Sequence, residues 1–188
     1  MQDGEILRNI VQRLQAELGD DLKGVLAGGS RLRGEADANS DIDVVVVIGE
    51  PKRRRQNLTI DGVEVEMFVN PAFQMRRYFE QDRNNGRGLM PHLCLTGTVL
   101  FDPYGIVAKL QQEAREIWEA GPAPLTPREI WEYRYHTIDA LLDIDDVKAR
   151  DPASAGLLVG SLLPALIDRH YRISGRWLRK RKHLLDDL

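Results

Sequence analysis

From Glu5 to Leu18 the apolar residues Ile6, Leu7, Ile10, Val11, Leu14 and Leu18 recur at spacings of three and four, the period of a helix with one buried face. Gly19-Asp20 ends that pattern. The period then changes. Leu22 to Ala27 reads as a short strand, and the five apolar residues Val44 to Ile48 read as a strand covered on both faces. Asn57–Ile60 and Val63–Val69 flank Asp61-Gly62, the dipeptide of a tight hairpin. Successive strand residues point to opposite faces, so Val63, Val65 and Met67 share one side while Glu64, Glu66 and Phe68 share the other. Pro71 is suited to open a helix running to about Arg83, with Phe73 and Tyr78 as its packing residues. Asn84 to Gly88 reads as a loop, Leu89–Leu95 as a short helix, Thr98–Phe101 as a strand and Ile106–Ala120 as a helix.

Gly121-Pro122-Ala123-Pro124 is the clearest linker signal. After it, Thr126, Pro127 and Glu129 form the signature of a capping box with proline at the first helical position. The helix they open extends to about Ala149. Asp151-Pro152 interrupts the chain, and Ala153–Tyr171 follows as a second helix that Pro164 can kink. Helices and strands alternate before the linker, and only helices follow it. The expected organisation is an α/β (α+β) catalytic domain over residues 1–121 and an all-helical C-terminal domain over residues 122–188.

The densest chemistry lies between Gly28 and Asp43. Asp41 and Asp43 stand two apart at the start of a strand, so both carboxylates point the same way. Side by side they repel unless a cation lies between them, and a hard divalent ion such as Mg²⁺ suits oxygen donors and often arrives with phosphates. The turn Gly28-Gly29-Ser30 lets backbone N–H groups approach an anion closely, and Ser30 can cap a short helix from Ser30 to Arg33 or bond a phosphate oxygen. Gly34 would end that helix. If the strand carrying Glu66 pairs beside the one carrying Asp41 and Asp43, a third acid joins them, with Glu64 on the same face as the alternative.

Gly29-Ser30-Arg31-Leu32-Arg33-Gly34, Ser40-Asp41-Ile42-Asp43 and Val65-Glu66-Met67-Phe68-Val69-Asn70-Pro71 together resemble the motifs of the nucleotidyltransferase superfamily with the DNA polymerase beta-like fold, in particular its small bacterial two-domain members that modify aminoglycoside or lincosamide antibiotics. The resemblance is specific over Val25–Pro71. Leu32 departs from it, since many relatives have alanine there. It implies a mixed sheet and an Mg²⁺-dependent transfer of a nucleoside monophosphate, AMP from ATP, to a hydroxyl of a small-molecule acceptor, with pyrophosphate released. It further implies that Asp41, Asp43 and Glu66 are catalytic and ligate two Mg²⁺ ions, Glu66 serving as ligand or as the base. Gly29 and Ser30 hold the phosphates, flanked by Arg33 and Ser40. Lys180 or Lys182 reaches the triphosphate from the helical domain.

Composition narrows the field. The chain has 188 residues, 43% of them hydrophobic, enough for a proper core. Its 26 basic and 29 acidic side chains give a net charge of −3, which disfavours a broad nucleic-acid-binding face. Lys52-Arg53-Arg54-Arg55 reads as a solvated loop. One cysteine, Cys94, excludes an internal disulfide, and no apolar run reaches membrane-spanning length, so a cytoplasmic protein is expected. Cys94, His92 and His170 read as packing residues. His136, Asp139, Asp143 and Asp146 line one helix face, and Asp139 and Asp143 are the candidates for binding an acceptor. Two readings compete with the leading one. The first is an antitoxin-like enzyme that adenylylates a protein, or a fused ribonuclease module through Arg176 and His183. The second is a non-catalytic nucleotide-binding module. Some antibiotic-modifying relatives build the site across a dimer, so the resemblance is compatible with a homodimer in which Asp139 or Lys182 acts on the neighbouring subunit, and the helical pattern at Leu188 is compatible with a longer native chain.

Overall fold

The computed structural model describes residues 2–29, 31–32, 41–178 and 184. The chain divides into two compact units, residues 1–82 with 89–120, and residues 83–88 with 121–188.

The first unit is built on a five-stranded sheet in the order β3-β4-β2-β1-β5, formed by β1 (Leu22–Gly28), β2 (Ile42–Ile48), β3 (Arg54–Ile60), β4 (Val63–Pro71) and β5 (Thr98–Phe101). The sheet is mixed: β2 and β4 run parallel, and every other pair is antiparallel. The β3–β4 connection is a two-residue turn in which both Asp61 (φ 49°) and Gly62 (φ 78°) are left-handed. That backbone matches the twist of the flanking strands.

Alternation divides the apolar side chains between two faces. Ile42, Val44, Val46, Val65, Met67 and Val69 pack beneath α1 (Gln2–Leu18), which contributes Ile6, Ile10 and Leu14. Val45, Val47 and Phe68 face the opposite layer, made by α2 (Met75–Asn85), α3 (Leu89–Thr96) and α4 (Ile106–Ala120). All seven residues of β2 are buried. Each such aliphatic side chain contributes roughly 1.5–3 kcal/mol on leaving water. Cys94 lies fully buried in this second layer, and burial pushes its thiol up to about 12, so it stays neutral at ordinary pH.

Three expectations need correction. Phe73 is not a packing residue but 66% exposed, because a short 3₁₀ turn over Ala72–Gln74 precedes α2; Tyr78 is buried as expected. The basic run is an exposed loop only at Lys52 and Arg53. Arg54 and Arg55 belong to β3, Arg53 lies 4.1 Å above the Tyr78 ring, and Arg54 reaches Glu17 on α1 at 3.5 Å. His170 is exposed, whereas His92 packs against the Trp118 ring at 4.9 Å.

The second unit holds α5 (Pro127–Val147) and α6 (Pro152–Ile173). The capping box forms: the Glu129 amide donates to Thr126 Oγ1 at 3.2 Å, and the Thr126 amide donates to Glu129 Oε2 at 2.7 Å. Asp151 caps α6 by accepting from the Ser154 amide at 3.1 Å. Buried Arg172 on α6 donates to the Asn84 carbonyl at 3.0 Å and holds the 83–88 segment within this unit. Gly86, in that segment, has φ +74°, and a Cβ there would lie 2.5 Å from Arg172 Cδ. Only glycine fits that approach.

Candidate metal centre

Strand pairing builds the site. Gly28, the last residue of β1, lies opposite Asp43 on β2, and Asp43 lies beside Glu66 on β4. The parallel register is decisive, because a slip of one residue would turn Glu66 to the α1 face. Asp41 precedes β2 on the same side as Asp43. Carboxylate oxygens from Asp41, Asp43 and Glu66 all lie within 4.8 Å of one another. Asp43 is 8% exposed and the Glu66 side chain 13%.

Three carboxylates this close repel by on the order of 3 kcal/mol per pair at an effective dielectric constant near 20. The fold answers part of that repulsion. Arg55 Nε, on the neighbouring strand β3, is ion-paired to Glu66 Oε1. Its guanidinium lies 5.1 Å from the Phe68 ring, the cross-strand partner of Arg55.

Gly29 closes the other side. It has φ +107°, and a Cβ there would stand 3.1 Å from the Asp41 carbonyl oxygen and 3.4 Å from Asp43 Oδ2. Any side chain would push into the acid cluster, so the glycine leaves backbone alone beside the carboxylates. Arg31, two residues on, donates to Asp3 Oδ1 on α1 at 2.9 Å and ties the turn to that helix. Beside the acids lies a depression of about 120 Å³, lined by Asp41, Asn57, Thr59, Glu64 and Glu66 among others. The donor set consists of hard oxygens converging on one point with close backbone clearance. That chemistry fits a divalent cation such as Mg²⁺. Asp41, Asp43 and Glu66 are the residues that could hold it.

A family model described as a nucleotidyltransferase domain matches residues 6–86, the segment that contains every residue of this cluster. That match and the motifs support a nucleotidyltransferase domain over residues 6–86. In fold it is similar to a nucleotidyltransferase-like protein from Exiguobacterium sibiricum, with a TM-score of 0.52 at 15% identity over 96% of this chain. The aligned region is 61% of that protein, so the chain spans about three-fifths of its length. No curated protein matches the chain.

Within the matched segment the structure brings together Gly29, Asp41, Asp43 and Glu66. Glu64 lines the same depression but stands outside the cluster of three. Ser30, Arg33, Ser40, Lys180 and Lys182, together with Gly34 and His183, lie outside the described residues. Asp139 and Asp143 are exposed on α5 in the second unit. Arg55 is the residue that the sequence reading missed. Its signal was present: Arg55, Asn57 and Thr59 alternate along β3 and pair with Phe68, Glu66 and Glu64 along β4.

Proposed function

We propose that the protein is an Mg²⁺-dependent nucleotidyltransferase that moves AMP from ATP to a hydroxyl of a small-molecule acceptor. The motif resemblance favours an acceptor of the aminoglycoside or lincosamide kind. The observation that carries this reading is the convergence of Asp41, Asp43 and Glu66 beside the unobstructed backbone of Gly29.

In the proposed reaction the acceptor oxygen forms a bond to the α-phosphorus, and the bond from that phosphorus to the bridging oxygen of pyrophosphate breaks. The hydroxyl proton passes to solvent water, or to Glu66 where that carboxylate serves as the base, as the new bond forms. Asp41 and Asp43 would hold Mg²⁺ at the start of β2, and Glu66 would complete the ligand set from β4. When bound, Mg²⁺ lowers the charge cost at the attacking and leaving oxygens. Gly29 and Ser30 receive the β- and γ-phosphates through backbone and hydroxyl donors. The depression beside the acids, with Asn57 and Thr59 on its wall, gives an acceptor hydroxyl a polar approach.

Melting temperature with Mg²⁺ and each nucleoside triphosphate tests the site, because a ligand of the folded state alone raises it with affinity. A rise with ATP that vanishes in Asp41→Ala/Asp43→Ala supports the reading. Equal rises in both proteins would place nucleotide elsewhere. Pyrophosphate release across a panel of hydroxyl-bearing acceptors then identifies the substrate.

A further inference from the structure

We propose that Arg55 is a resident counter-ion that makes loading of the metal depend on the nucleotide. The proposal rests on the reading of Asp41, Asp43 and Glu66 as the metal ligands. Two facts set it up. The Glu66 carboxylate, 13% exposed, is engaged by the guanidinium of a residue whose own side chain is 66% exposed. That guanidinium is kept over the Phe68 ring by a direct cross-strand pairing, not by a flexible loop.

A cation on the exposed side of a carboxylate cluster has two consequences. It relieves repulsion among the three acids in the metal-free protein. It also opposes a second cation, since a divalent ion must share Glu66 with the guanidinium or displace it. A metal–triphosphate complex differs, because it arrives with net negative charge and offers the guanidinium oxygens of its own. Arg55 therefore weakens binding of the bare ion and spares binding of the complex. It is a positioning residue, acting through Glu66.

The readout is Mn²⁺ affinity of the nucleotide-free full chain, followed by the electron paramagnetic resonance signal of free Mn²⁺. Arg55→Gln is expected to bind Mn²⁺ about five- to tenfold more tightly than wild type. With a non-hydrolysable ATP analogue present, the gain is expected to shrink. Arg55→Lys keeps the charge and is expected to stay near wild type, which separates charge from shape. A residue that only braced the sheet would lower the melting temperature without tightening Mn²⁺. Unchanged or weaker affinity in Arg55→Gln, with wild type still binding through Asp43, overturns the proposal and leaves the metal site intact. Failure of both proteins to bind Mn²⁺ overturns the metal site and the proposal with it.

Discussion

Strand β2 and helix α5 differ sharply in burial. Every residue of β2 is buried, and none of the 21 residues of α5 is fully so. β2 is gripped from both faces, by α1 on one side and by α2, α3 and α4 on the other. Its geometry is therefore set by packing, and the carboxylates at its start inherit that precision. α5 leaves Trp131, Tyr135, Ile138 and Leu142 to solvent. Its start is defined by local chemistry instead, through the Thr126–Glu129 box. A cluster that must hold three like charges within 4.8 Å belongs on the first kind of element.

The largest effect that would test this contrast is on turnover. Asp43→Asn should lower pyrophosphate release by about three orders of magnitude while the melting temperature holds or rises, because one of three repelling charges is gone. A modest loss would separate β2 from the chemistry. Next comes packing. Phe79→Ala, at a fully buried position of α2, should cost about 3–5 kcal/mol in urea denaturation. Leu142→Ala, on the exposed face of α5, should change stability by no more than about 0.5 kcal/mol. Comparable losses from the two would erase the difference between the regions.

Two smaller tests address the helical unit. Gly86→Ala must adopt φ +74° against Arg172, and should cost about 1–3 kcal/mol. Thr126→Ala removes the cap of α5 and should cost about 1 kcal/mol, read from thermal unfolding. Acid should act in the same direction. Hydrogen bonds from Thr126 hold the Glu129 carboxyl below its ordinary range, and those from Ser154 do the same for Asp151. A carboxyl depressed in the folded state contributes stability above its unfolded pKa and loses it as pH falls through the folded value. Helicity should therefore fall below about pH 4, and Glu129→Gln with Asp151→Asn should flatten that part of the curve.

The parts of the fold that were legible in sequence are those governed by local rules. Period-two alternation placed Glu64, Glu66 and Phe68 on one face, and the capping signature located the start of α5 to the residue. Asp61-Gly62 announced its own turn. What escaped was set by distant partners. A run of lysine and arginine looks the same locally whether it is a loop or an edge strand, and only β4 makes Arg55 a strand residue facing Glu66. Phe73 kept the spacing of a core residue, yet a 3₁₀ turn carried it outward. The nearness of Asp43 to Glu66 was legible only as a condition on strand pairing, and the parallel run of β2 and β4 meets that condition across 23 positions of sequence.

The late arrival of β5 has a practical consequence. β5 covers the outer edge of β1, pairing Phe101, Val99 and Thr98 with Val25, Leu26 and Ala27, three residues with no exposed surface. The family match stops at residue 86, before β5 begins. A fragment cut to that match keeps all three acids and loses the strand that shields β1. Its bare, apolar edge would offer a template to other chains. The same opening exists during synthesis, from the emergence of β1 until residue 101 can dock, and in that interval self-association competes with folding.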